Sequence, residues 1–189
     1  MVPGNYARCS FFTMETATTF LEITQENFPE IIRLYQERVY HVIRKIVIDH
    51  DDSDDLVQEV FIKLWQKRDS FKGNSTLFTW VYRIAVNESL QFLRKKKRTT
   101  LVSIDEQEIL QEKISSSISP DADEIQKYLQ NAIAALPEKQ RAVFILKYYD
   151  ELTYENIAEI LGGSVGGLKA NYHHAVKKIE KYIESSLNH

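Results

Sequence analysis

The sequence is poor in cysteine, with Cys9 alone among 189 residues. One thiol excludes an internal disulfide, and no group of cysteine and histidine has metal-ligand spacing, so a reducing compartment, the cytoplasm, is expected. Long apolar runs are missing too: no stretch approaches the roughly eighteen residues of a membrane span. No basic segment leads into a short apolar stretch with a small-residue cleavage site, so neither a secretory leader nor membrane insertion is expected. Catalytic constellations are equally absent. There are no paired carboxylates in a predicted pocket, no nucleophile beside its base, no phosphate loop and no metal set, which argues against an enzyme, a cofactor or a small-molecule substrate. Net positive charge is lacking as well. The formal value of -3 is unusual for a protein that grips nucleic acid unaided, because phosphate neutralisation dominates that affinity.

What is present is local. Asp49 to Asp55, DHDDSDD, holds five acids in seven residues, and Arg94 to Arg98, RKKKR, holds five bases in five. A chain with both can turn one face to DNA and another to a protein partner. Apolar residues make up 43% of the chain, enough to bury one mid-sized core or two small ones.

Residues 1–19 lack periodicity and are expected to form a disordered tail. From Phe20 to Arg98 apolar residues recur at three and four, as in Leu56, Val60, Phe61 and Leu64, while strand-like alternation is absent. Breaks at IDHDDS and FKGNS supply helix stops and starts. Residues 99–122 hold a serine cluster and Pro120 and read as a linker. The helical pattern returns over 123–189. Two small all-α domains joined by a flexible segment is the expected architecture.

In the second half, Pro137 is placed to open a helix and Thr153 to cap the next. Gly162 marks a stop, and Ser164 is an N-cap for the last helix. A helix of about two turns, a glycine turn and a longer helix have the spacing of a helix-turn-helix. Leu168, Tyr172, Ala175, Ile179 and Tyr182 or Ile183 share an inward face. Lys169, Asn171, His173, His174, Lys177 and Lys178 are left outside, where amide, imidazole and ammonium donors suit base edges and phosphates. Gly166 and Gly167 fall in the first turn, where missing side chains let backbone N–H groups approach DNA.

In the first half, the helix starting near Ser75 carries an inward stripe of Phe78, Val81, Ala85, Ser89 and Phe92. The opposite stripe is Trp80, Arg83, Asn87, Gln91, Arg94 and Arg98, a set suited to stacking on unpaired bases and holding phosphates. Asp52 or Ser53 is the expected cap of the preceding helix. Along that helix Gln58, Glu59, Lys63 and Gln66 point outward, while Phe61, Leu64 and Trp65 exceed what a free surface needs; two readings stay open, buried core for some of them and, the sharper one, a protein-binding face.

The stretch from Asp52 to Arg98, with DDLVQEVFIKLW at its start, closely resembles region 2 of extracytoplasmic-function sigma factors of bacterial RNA polymerase. LPEKQRAVFILKYYDELTYENIAEILGGSVGGLKANYHHAVKKIEKYI is similar to their region 4. The resemblance covers about Phe20 to the C terminus. It implies a region 2 domain over 20–98 and a region 4 domain over 123–189, with core RNA polymerase, promoter DNA and a separate anti-sigma factor as partners. Asp55, Gln58, Glu59, Phe61, Lys63 and Trp65 would then dock on polymerase. Lys72, Asn74 and Ser75 of the FKGNS loop would take a flipped base of the -10 element. Trp80, Arg83, Asn87, Gln91, Arg94 and Arg98 would hold the opened strand. Ser164, Gly166, Gly167, Lys169, Asn171, His173, His174 and Lys177 would meet the -35 element. The chain departs from the family where threonine, valine, lysine, serine and arginine usually follow the serine-x-glycine: it has Gly167, Leu168, Lys169, Ala170 and Asn171. Two other readings stay open at this point: a helix-turn-helix regulator that works without polymerase, and a helical adaptor that binds only proteins.

Overall fold

The computed structural model describes residues 22–100 and 124–187; the expected tail and nearly all of the expected linker lie outside the described residues. In the first domain α1 runs Phe28–Val47, α2 His50–Gln66 and α3 Leu77–Thr100, with a single 3-10 turn at Arg68–Ser70. Asp49, not Asp52 or Ser53, caps α2: its carboxylate accepts the Asp52 N–H at 3.1 Å. The chain turns straight out of α1 through Ile48 at φ 75°, so the first aspartate available takes the cap. Ser53 is instead buried, and its hydroxyl donates to the Asp49 carbonyl. Thr76 caps α3 by accepting the Thr79 N–H at 3.1 Å. That helix continues through Thr99 and Thr100, two residues into the expected linker, because no breaker stands there.

In the second domain α4 runs Glu124–Ala134, α5 Glu138–Tyr148, α6 Tyr154–Leu161 and α7 Val165–Leu187. Pro137 sits at the N-cap of α5, one residue before the expected first helical position. Thr153 caps α6, accepting the Asn156 N–H at 3.2 Å, and Ser164 accepts the Gly167 N–H at 3.1 Å in the first turn of α7. Between them Gly162 and Gly163 take φ of 72° and 95°, values that favour glycine. No strand occurs among the described residues.

The first domain is a three-helix bundle around Val39, Ile43, Ile46, Val60, Leu64, Val81 and Ala85. The second has its own cluster, in which Ala132, Ile133 and Leu136 meet Phe144, Ala175 and Ile179. α5 is buried at six consecutive positions, Arg141 to Leu146. A helix apolar on every side has to be covered on more than one. Phe144 serves the second domain's own cluster, while Ala142, Val143, Ile145 and Leu146 join the first domain's residues in one continuous core. Thus α1 packs on α5 and α3 packs along α6.

Candidate nucleic-acid and protein interfaces

Along α2 an outward row of Asp55, Gln58 and Glu59 is exposed, and Ile62 stands in it with 57% of its surface in water. Sequence reading passed over this isoleucine. Its signal is the spacing of three and four from Glu59 and Gln58. Phe61 is a correction: it is buried in the bundle, where it sits with Leu56, Val60 and Leu64. Trp65 is half-buried against Phe28, with ring centroids 5.0 Å apart, and the Arg68 guanidinium lies 4.3 Å over its ring. Lys63 is ion-paired with Glu88 of α3. The surface offered to a partner is therefore acidic and amide-bearing around one aliphatic side chain.

In the loop before α3, Lys72 and Asn74 are exposed and Ser75 is half-buried, with Gly73 at φ 70°. Trp80 is the second correction. Only 8% of it is exposed, its ring is 5.3 Å from Phe71, and it belongs to the core. The expected opposition of one buried and one free stripe fails near the start of α3, because this helix packs on α1, α2, α5 and α6. Farther along, Asn87, Gln91, Arg94 and Arg98 form an exposed row. Arg83, half-buried at the head of that row, donates from Nε to the Glu159 carbonyl of α6 at 2.7 Å. Arg94 lies 3.8 Å from the Glu138 carboxylate of α5, and Lys96 is paired with Asp52. Acidic and basic runs that looked like separate faces thus meet inside the first domain.

On α7, Leu168, Ala175 and Ile179 are buried and Tyr172 is half-buried, whereas Lys169, His173, His174 and Lys177 are exposed. An aromatic row aims this helix: Phe144 stacks on Tyr148 at 5.1 Å and on Tyr172 at 5.8 Å, and Tyr172 meets Tyr154 edge-on. Burial, with Tyr154 and Tyr148 beside it, raises the Tyr172 phenol above its ordinary pKa, so it stays neutral. Lys169 lies 5.7 Å over the Tyr154 ring. Asn171 is half-buried and its amide nitrogen returns to the Gly167 carbonyl at 2.9 Å. Ser164, Gly166 and Gly167 are exposed at the helix start. A Cβ on Gly166 would meet open space, and one on Gly167 would come 3.2 Å from the Ser164 hydroxyl. The result is an open N-terminal edge with backbone donors and four exposed donor side chains behind it.

The family model described as Sigma-70 region 2 matches residues 31–99, and Sigma-70, region 4 matches residues 126–179. Two helical domains carrying these regions in this order define a sigma-70-type transcription initiation factor. The ECF RNA polymerase sigma factor SigW of Bacillus subtilis is 29% identical over 168 residues, covering 84% of this chain and 90% of that protein. The ECF RNA polymerase sigma-E factor of Escherichia coli strain K12 is 30% identical over 169 residues, covering 85% and 88%. The chain belongs to the extracytoplasmic-function (ECF) sigma factors of RNA polymerase. Its fold resembles that of the Bartonella quintana sigma factor RpoE solved with the anti-sigma factor NepR, with a TM-score of 0.66 at 23% identity over 84% of this chain and 98% of that one. CnrH, solved with the cytosolic domain of CnrY, gives 0.61 at 18% identity over 86% and 90%.

Proposed function

We propose that the protein binds core RNA polymerase in the cytoplasm and directs it to a particular promoter class, held in check by an anti-sigma factor until a signal releases it. It adds no catalytic group of its own to transcription. The observation that carries this reading is the pairing of region 2 and region 4 matches with two separate exposed donor rows, one on α3 and one on α7. The α2 row of Asp55, Gln58, Glu59 and Ile62 docks on polymerase. Lys72, Asn74 and Ser75 receive a base from the -10 element. Arg83, Asn87, Gln91, Arg94 and Arg98 hold backbone phosphates of the opened strand, where each basic contact adds salt-dependent affinity. Lys169, Asn171, His173, His174 and Lys177 read the -35 element from the major groove, with Ser164, Gly166 and Gly167 against a phosphate. Polymerase supplies much of the non-specific DNA affinity, which accommodates a net charge of -3.

The test is run-off transcription from a promoter library with core polymerase. Initiation should require this chain, and Ile62→Glu should weaken polymerase binding about tenfold, the loss of roughly 1.4 kcal/mol from one desolvated aliphatic contact. Sequence-specific DNA binding that core polymerase neither improves nor redirects would instead make the protein an independent regulator.

A further inference from the structure

From Ile160 to Ile179 the chain holds no carboxylate, and the first acid of α7 is Glu180. Over that stretch the exposed face of the helix carries Lys169, His173, His174, Lys177 and Lys178. Lys169, His173 and Lys177 follow one another at four, and so do His174 and Lys178, which puts an ammonium group one turn from each imidazole. The two rings stand 6.1 Å apart, tilted by 53°.

The other described histidines are placed differently. His41 lies 3.7 Å from the Glu37 carboxylate and His50 lies 3.6 Å from that of Asp54, each acid four residues away along its helix. His173 and His174 have no such acid. α4, α5 and α6 pack against the opposite side of α7, and the titratable groups turned toward it there are the phenols of Tyr148 and Tyr154, beside Tyr172. Glu155 and Glu159 of α6 are exposed and form no ion pair with either imidazole, while Lys169 lies over the Tyr154 ring. A proton on either ring finds lysines for neighbours, so its counter-charge has to come from outside the chain.

We propose that His173 and His174 take up protons when α7 enters the promoter duplex, so that the hold on the -35 element strengthens as pH falls. The proposal rests on the -35 role given to α7 above and adds the chemical state in which its two histidines act. A neutral imidazole has one donor and one acceptor nitrogen, whereas the imidazolium donates from both. Phosphate oxygens, and the N7 and O6 of guanine in the major groove, only accept. Each proton therefore adds a donor and a positive charge where the duplex offers acceptors and negative charge. Lys169, Lys177 and Lys178 supply the constant part of the grip. The imidazoles, whose charge changes between roughly pH 5 and 8, supply the variable part.

The experiment uses holoenzyme reconstituted from core polymerase and the full chain. Its probes are a promoter duplex recovered from the library and the same duplex with the upstream element scrambled. Dissociation constants are measured at pH 6, 7 and 8 and fixed ionic strength, a range that spans imidazole titration, for the wild type, His173→Gln/His174→Gln and His173→Lys/His174→Lys. Both positions are exposed, so neither pair of substitutions enters a core. The titration of polymerase itself cancels in the ratio of wild type to variant. Wild-type affinity relative to the Gln pair should rise about tenfold from pH 8 to pH 6, a net uptake averaging about half a proton across the range. The Lys pair, whose charge is fixed, should bind tightly throughout and lose that rise. The logarithmic salt dependence of the wild type should steepen by about one over the same interval, as for one further phosphate neutralised. His41→Gln should keep the wild-type pH profile. A ratio that stays flat overturns proton uptake, and a rise that persists on the scrambled duplex overturns its assignment to the -35 element. A chain that gives no promoter-selective binding at any pH overturns the sigma reading and this proposal with it, whereas selective binding with a flat ratio overturns the proposal alone.

Discussion

At the scale of single residues, Asp150 is the most exposed to pH. Its Oδ2 is buried without a partner while Oδ1 faces Lys45, and burial raises its pKa to about 6 against the lowering pull of Lys45 and Arg38 on α1. Tyr82 of α3 shares the site, and its phenol is pushed well up, first by burial and then by Asp150. An acid with a raised folded-state pKa binds a proton on folding in the interval between its ordinary value and about 6. Its contribution therefore favours the folded form as pH falls through that interval and opposes it above. Asp150→Asn should accordingly stabilise the chain at pH 7.5 by roughly 1–2 kcal/mol, less than the full shift because Lys45 loses its partner. The gain, read from denaturant midpoints, should shrink as the pH is lowered through 6; a destabilised variant at pH 7.5 would refute the argument. Trp80 carries a second prediction. Trp80→Ala should cost about 3–5 kcal/mol by opening a cavity beside Phe71, and initiation should fall only as far as folded protein does. A fully folded variant with a selective opening defect would return the ring to the DNA. Sequence reading set Trp80 outside because a two-stripe model assumes one buried face, and α3 has neighbours on several.

At the scale of elements, the helix ends were the most legible feature, since capping and turn formation are local chemistry. Thr153, Ser164 and Gly162 take the positions their side chains, or lack of one, predict. The acid run was less legible because five aspartates in seven residues offer several equivalent caps, and the tight exit from α1 made the choice. The inward and outward faces of α7 follow its spacing, with Asn171 tied back to its own helix as the partial exception. The four clustered glycines then separate by experiment. Gly162→Ala and Gly163→Ala place a Cβ at positive φ and should lower stability by about 1 kcal/mol or more. Gly166→Ala meets open space within a helix and should instead add about 0.5–1 kcal/mol. If the start of α7 is a DNA edge, this more stable protein should bind duplex promoter DNA more weakly. Unchanged affinity would leave Gly166 with no part in docking.

At the scale of the whole molecule, domain count was readable and domain contact was not. Periodicity says which face of a helix is buried but not what buries it, and α1, α3 and α5 could each have satisfied their apolar faces within their own domains. The missed signal was RAVFIL, six residues with no polar side except one arginine, which no single neighbouring surface can cover. Because Ala142, Val143, Ile145 and Leu146 share one core with the first domain, separating the domains uncovers apolar surface that water disfavours by about 25 cal/mol per Å². The two domains should therefore melt together. Calorimetry on the full chain should give one transition whose calorimetric and van't Hoff enthalpies agree, although two independent units joined by a tether would give two. Lys45→Met, which removes the Lys45–Asp150 pair between the two domains without entering either core, should broaden that transition. Two well-resolved transitions in the wild-type chain would mean that the shared core contributes too little to couple the domains.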